Sequence, residues 1–136
     1  MRTANVAPAL PAHYVDTSIT NYHTVRSRIQ AMLHGADDED CDTLRLTADA
    51  ALVAMRLLDE AYPLVQGHFP LGAAVIDEGG GVNVYWLDTE RRVELAFPIG
   101  VGDPGFIYHQ EGRDFAIDRD ISPHNLATWL RWFARV

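Results

Sequence analysis

The stretch from Ala73 to Asp118 alternates short apolar runs with turn clusters: AAVID, EGGG, VNVYWLD, TER, RVELAFP, IGVGDPG, FIYHQ, EGR and DFAID. Period-two alternation, β-branched and aromatic residues, and turn residues at each break are the marks of strands. Val82, Val84 and Trp86 fall on one face of their segment, and Asn83, Tyr85 and Leu87 on the other. In the next segment Val93, Leu95 and Phe97 alternate with Arg92, Glu94 and Ala96. Asp88-Thr89-Glu90-Arg91 joins the two segments and is short enough only for a hairpin turn, so the pair is antiparallel. Phe106–Gln110 alternates without settling its faces: either Phe106 and Tyr108 or Ile107 and His109 meet the core. Asp114–Ile117 is a short last strand. The pattern predicts an antiparallel meander of four or five strands that needs a cover on at least one face.

Gly79-Gly80-Gly81 before Val82 suits a tight reversal. A phosphate-cradling loop would need a strand before the glycines and a helix after them, because helix amides hold the anion. Here a strand follows, so the glycines read as a turn.

Both flanks read as helical. Residues 1–18, with Pro8 and Pro11, read as an irregular arm. Thr20 or Asn21 suits an N-cap, and Tyr22, Val25, Ile29, Met32 and Leu33 then share one helical face up to a stop at Gly35. A second helix is expected from about Thr43 to Tyr62, ended by Pro63. Ala48, Ala51, Met55, Leu58 and Tyr62 form its stripe, and Leu44, Leu52 and Val53 widen it toward burial on more than one side. Asp37-Asp38-Glu39-Asp40 links the helices. It lacks the glycine and distant glutamate of a calcium loop and reads as a solvated linker. After the strands, Ser122-Pro123 marks a helix start, and Leu126, Trp129, Leu130 and Phe133 make one apolar face.

The predicted fold is therefore a single α+β domain over residues 1–136: a helical hairpin at 19–63, an antiparallel sheet at 73–118 and a C-terminal helix at 122–134. A chain of 136 residues can bury a core without disulfides or metal. Cys41, the single cysteine, has no internal partner, and no signal-like or membrane-length apolar run is present, so a cytoplasmic protein without a membrane span is expected.

Charge excludes more than it assigns. A formal net charge of −8 disfavours nucleic acid as a partner. All 11 basic residues are arginine. That removes Schiff-base chemistry and lysine-dependent phosphate sites, since arginine neither deprotonates nor acts as a point charge. His13, His23, His34, His68, His109 and His124 show no metal-ligand spacing. Cys41 sits among acids that raise a thiol pKa. Ser18, Ser27 and Ser122 lie in no nucleophile elbow. No catalytic, cofactor-binding or metal-binding residue is singled out.

The order G-G-G-V-x-V-x-W (79–86), R-V-E-L-x-F (92–97), G-F-I-Y-x-x-E-G (105–112) and a terminal L-x-x-W-L helix (126–130) resembles a group of small uncharacterised bacterial proteins. In them a helix precedes a meander carrying a Gly-Gly-x-x-x-x-Trp element, often beside toxin–antitoxin or phage-defence genes. The resemblance spans 47–133, and its motifs are structural. It implies an antitoxin-like or defence-accessory module.

The function expected from these residues is non-enzymatic protein binding. Tyr85 and Leu87, on the apparent off-face of the sheet, and Arg131, Trp132 and Arg135, beside the stripe of the last helix, are the candidate partner surface. The alternatives are a small enzyme using Asp118 or Asp120 with His124, or a structural homodimer.

Overall fold

The computed structural model describes residues 12–36, 42–99 and 104–136. The first part of the expected arm (1–11), the acidic linker with Cys41 (37–41) and the middle of the Gly-rich loop (100–103) lie outside the described residues. The elements are α1 (Ala12–Ala36), α2 (Asp42–Ala61), a 3-10 turn (Tyr62–Val65), β1 (Ala73–Ile76), β2 (Val82–Leu87), β3 (Arg91–Phe97), β4 (Phe106–Glu111), β5 (Asp114–Asp118) and α3 (Pro123–Ala134). The five strands form one antiparallel meander in the order β1-β2-β3-β4-β5. Helices α1 and α2 pack as an αα-hairpin, and α3 docks on α2, the 3-10 turn and β3. The α+β class and its order of parts are those the sequence predicts.

Trp86 is the anchor. Across the β2–β3 hairpin Val82 pairs with Phe97, Val84 with Leu95 and Trp86 with Val93, so the apolar faces coincide. Trp86, Val84, Leu95 and Val93 are fully buried. The Trp86 indole donates to the Pro70 carbonyl at 3.0 Å, which satisfies its one polar atom. A Cβ at Gly72 would sit 2.6 Å from Trp86 Nε1, so only glycine lets the connector pass so close to the ring. In β4 it is Ile107, fully buried, that meets the core, with His109 on the same face.

Helix α1 begins earlier than the expected N-cap near Thr20 or Asn21. Its polar residues there dock the connector that precedes β1. Ser18 Oγ accepts from the Phe69 amide at 3.0 Å, Asn21 Nδ2 donates to the Phe69 carbonyl at 2.9 Å, and Arg28 donates to the Gly72 carbonyl at 2.5 Å. Residues that suit capping are thus spent on satisfying a buried connector. The helix also continues through Gly35 to Ala36, one residue beyond the expected stop.

In α2 the buried positions are Thr47, Ala51, Ala54, Met55, Leu57, Leu58 and Ala61. Of the residues expected to widen the stripe, Leu52 and Val53 are exposed, and the Leu44 side chain lies outside the described residues. The helix therefore buries one side only. The 3-10 turn accommodates Pro63 at its start, where a missing N–H costs nothing. Thr47 ties α2 to the glycine turn, donating to the Gly80 carbonyl at 2.6 Å. In that turn the Asp77 carboxylate accepts from the amides of Gly79 and Gly81, and Gly80 has φ +91°.

At the C-terminus, Ser122 caps α3 by accepting from the Asn125 amide at 3.2 Å, with Pro123 at the first turn. Leu126, Leu130 and Phe133 are buried, and Trp129 packs against them half-buried. All three helices lie on the Trp86 side of the sheet.

Candidate functional site: the open face of the sheet

Antiparallel register lines the residues of the other face into rows across the strands. Ala73, Tyr85, Glu94, Tyr108 and Ile117 form one row, since each pairs with the next. Leu87, Arg92, Gln110 and Phe115 form the adjacent row. No described helix packs on either. Leu87 is 61% exposed, Phe115 66% and Ile117 52%. Apolar side chains this open, gathered on one face, are unlike the singly scattered ones of an ordinary surface.

The rows cohere through π-systems. The Arg92 guanidinium lies 5.9 Å from the Tyr85 ring centroid and 5.8 Å from that of Tyr108, bridging β2 and β4. Tyr108 stacks on Phe115 at 5.8 Å, and Arg119 lies 5.5 Å over Phe106. Arg92 Nη2 donates to Glu94 Oε1 at 2.6 Å, while its Nε is buried and makes no hydrogen bond. The Tyr108 hydroxyl donates to Gln110 at 2.8 Å. A shallow groove of about 340 Å³ runs between Arg92, Glu94, Phe106, Tyr108 and Ile117.

Tyr85 and Leu87 thus lie on the open face, Leu87 exposed and Tyr85 half-buried. Arg131 and Trp132 lie on α3 and Arg135 caps its C-terminal end, across the sheet from them. Trp132, off the main helical stripe, is half-buried and packed. Its ring meets Trp129 edge-on at 5.4 Å, and the Arg91 guanidinium lies 4.5 Å over it. Arg91 also donates to the Trp132 carbonyl. Arg135 pairs with Asp88 at 2.9 Å, tying the end of the chain to the β2–β3 turn. Hydrogen bonds from the Arg91 amide, the Arg135 side chain and the Glu90 amide hold Asp88 down at a pKa of about 2.

The carboxylates near the sheet end serve the start of α3. Asp118 accepts from Asn125 Nδ2 at 2.8 Å, the Asp120 amide at 3.0 Å and Trp129 Nε1 at 3.3 Å. Those donors, the Asn125 side chain first, hold its carboxyl below the usual range. Asp120 accepts from the Ser122 amide. His124 is exposed on the first turn of α3. His109 stacks on Trp129 at 3.6 Å, and burial pushes its pKa down against the opposing pull of Asp118. Among the described residues no three His, Cys, Asp or Glu side chains gather as metal ligands, and no helix is long and apolar enough to cross a membrane.

Arg92, Tyr108, Phe115 and Ile117 belong to this face without having been singled out in the sequence. The D-F-A-I-D alternation of β5 says which residues share a face, not which face is open. Acids flanking an edge strand read as the solvent side, yet Asp118 is turned to α3 by its amide and indole donors, and Phe115 and Ile117 take the open side.

Comparisons with protein-family models, with curated proteins and with solved structures return no match to this chain.

Proposed function

We propose that this chain is a non-enzymatic protein-binding module whose working surface is the open face of its sheet. One observation carries the reading: Leu87, Phe115 and Ile117 stand more than half exposed on the side of the sheet opposite the helices. Leaving such side chains in water forgoes roughly 1.5–3 kcal/mol for each that a partner would bury. The aromatic and arginine content of the same face, Tyr85, Arg92, Tyr108 and Phe115, is the composition enriched at interfaces. The antitoxin-like or defence-accessory role implied by the sequence resemblance is one use of such a module, because occupying a partner's surface requires no chemistry of its own.

The test is capture on the immobilised chain, both from its native host and from a solution of the chain itself. Leu87→Asp/Phe115→Asp should lose what the wild type retains while keeping its melting temperature. If both proteins retain the same set, the open face is not the binding surface.

A further inference from the structure

The open face is complementary to itself. We propose that its partner is a second copy of this chain, the two sheets packing open face to open face as a two-fold β-sandwich. This rests on the reading of that face as the binding surface.

An isologous interface demands that every group meet its complement on the same surface of the other copy. Take a two-fold axis lying in the interface, perpendicular to the strands and midway between the two rows. It preserves strand order and exchanges the rows. Glu94 then faces Arg92 of the second copy, and Arg92 faces its Glu94. Tyr85 faces Leu87, Ile117 faces Phe115, and Tyr108 faces Gln110. Charge meets opposite charge on β3, apolar side chains meet on β2 and β5, and Tyr108 meets the Gln110 amide on β4.

Arg92 supplies a local reason. Within one copy Glu94 takes only Nη2. The Arg92 side chain is still exposed beside that pair, so the outer edge of its guanidinium stays open to a facing carboxylate. The groove beside Arg92 and Tyr108 faces the row that ends in the second copy's Phe115.

Size permits the arrangement. Five strands at about 4.8 Å and about six residues at about 3.4 Å give a face of roughly 24 by 20 Å. Two such faces bury about 1,000 Å², the lower limit for a specific interface. Sheets packed this way stand about 10 Å apart with strands nearly aligned. An aromatic sheet face can also stack single-stranded RNA. A net charge of −8 and the pairing of Arg92 with Glu94 argue against that occupant.

Sedimentation equilibrium of the full chain, with two charge variants, tests the proposal. Wild type should reach twice the 15.2 kDa monomer mass as concentration rises. Arg92→Glu and Glu94→Arg should each weaken self-association about 100-fold, because each places like charges face to face. An equimolar mixture of the two variants should restore the dimer, since the faces are again complementary. Circular dichroism of each variant alone checks that it is folded. A wild type that stays monomeric into the millimolar range overturns the second copy as partner. The binding reading itself then still stands or falls on the Leu87→Asp/Phe115→Asp capture. Variants that dimerise like wild type, or a mixture that does not restore the dimer, overturn the two-fold arrangement. Binding of polyuridylate to the wild type that is lost in Tyr108→Ala overturns it in favour of nucleic acid.

Discussion

Trp86 and Leu87 are neighbours in sequence and opposites in circumstance. Trp86 is fully buried beneath the helices, and Leu87 is 61% exposed on the far side of the same sheet. The contrast holds for the whole meander. Val82, Val84, Val93, Leu95 and Ile107 fill a core on one side, while Tyr85, Arg92, Tyr108, Phe115 and Ile117 form an arginine–aromatic surface on the other. Antiparallel sheets tolerate one uncovered face, but that face is usually polar. Here the uncovered side has kept apolar residues that the monomer does not use.

The largest expected effect comes from stripping the covered face. Truncation before Ser122 removes Leu126, Leu130 and Phe133, which are buried against α2, the 3-10 turn and β3. Each is worth roughly 1.5–3 kcal/mol, a sum comparable with the whole stability of a small domain. The truncated chain should aggregate, and size-exclusion chromatography showing a folded monomer would contradict this. Next is Trp86→Ala, which should cost about 3–5 kcal/mol by denaturant melting. Leu87→Ala, one residue away, should change stability by less than about 0.5 kcal/mol. Equal costs would erase the distinction between the faces.

A smaller effect is expected where the helices grip the turns. Thr47→Val should cost about 1–3 kcal/mol, because it leaves the Gly80 carbonyl without its buried donor. At the α1–α2 seam, Tyr22 hydrogen-bonds Asp59, and Arg26 Nε lies 2.9 Å from the same carboxylate. Burial first, and the Asp59 carboxylate second, raise the Tyr22 pKa to about 12. A raised phenol favours the neutral form in the fold. Its contribution is fully present below about pH 10, the ordinary tyrosine value, and is lost as pH rises through about 12. Absorbance titration should show Tyr22 ionising late, and Asp59→Asn should bring that step down. A step unmoved by Asp59→Asn would mean that Asp59 does not hold the phenol.

Most of the architecture was legible because it rests on local signals. Alternation located the strands, the short linkers forced antiparallel pairing, and Ser122-Pro123 marked α3. The first turns of α1 were not legible, since Ser18 and Asn21 are explained by Phe69, about fifty residues away. Leu52 and Val53 misled for a related reason: helical periodicity says which residues share a face, not which faces find a partner. The same gap hid half of the candidate site. Tyr85 and Leu87 could be placed on the off-face from β2 alone. Phe115 and Ile117 could not, because the sense of β5 depends on Asp118 turning toward Asn125 and Trp129. Trp132 lies beside the stripe, as the helical period places it, and its half-burial comes from Arg91 and Trp129 packing around it, which the period does not show.

Cysteine labelling in dilute protein tests the two-faced sheet most directly. In a Cys41→Ala background, Leu87→Cys and Phe115→Cys should react with a thiol reagent at nearly the rate of an unfolded peptide. Val84→Cys, on the covered side of the same strand as Leu87, should react only through unfolding, slower by at least about a thousandfold for a stable domain. Comparable rates at 84 and 87, or protection at 87 in the dilute monomer, would contradict a sheet with one face built as core and the other left open.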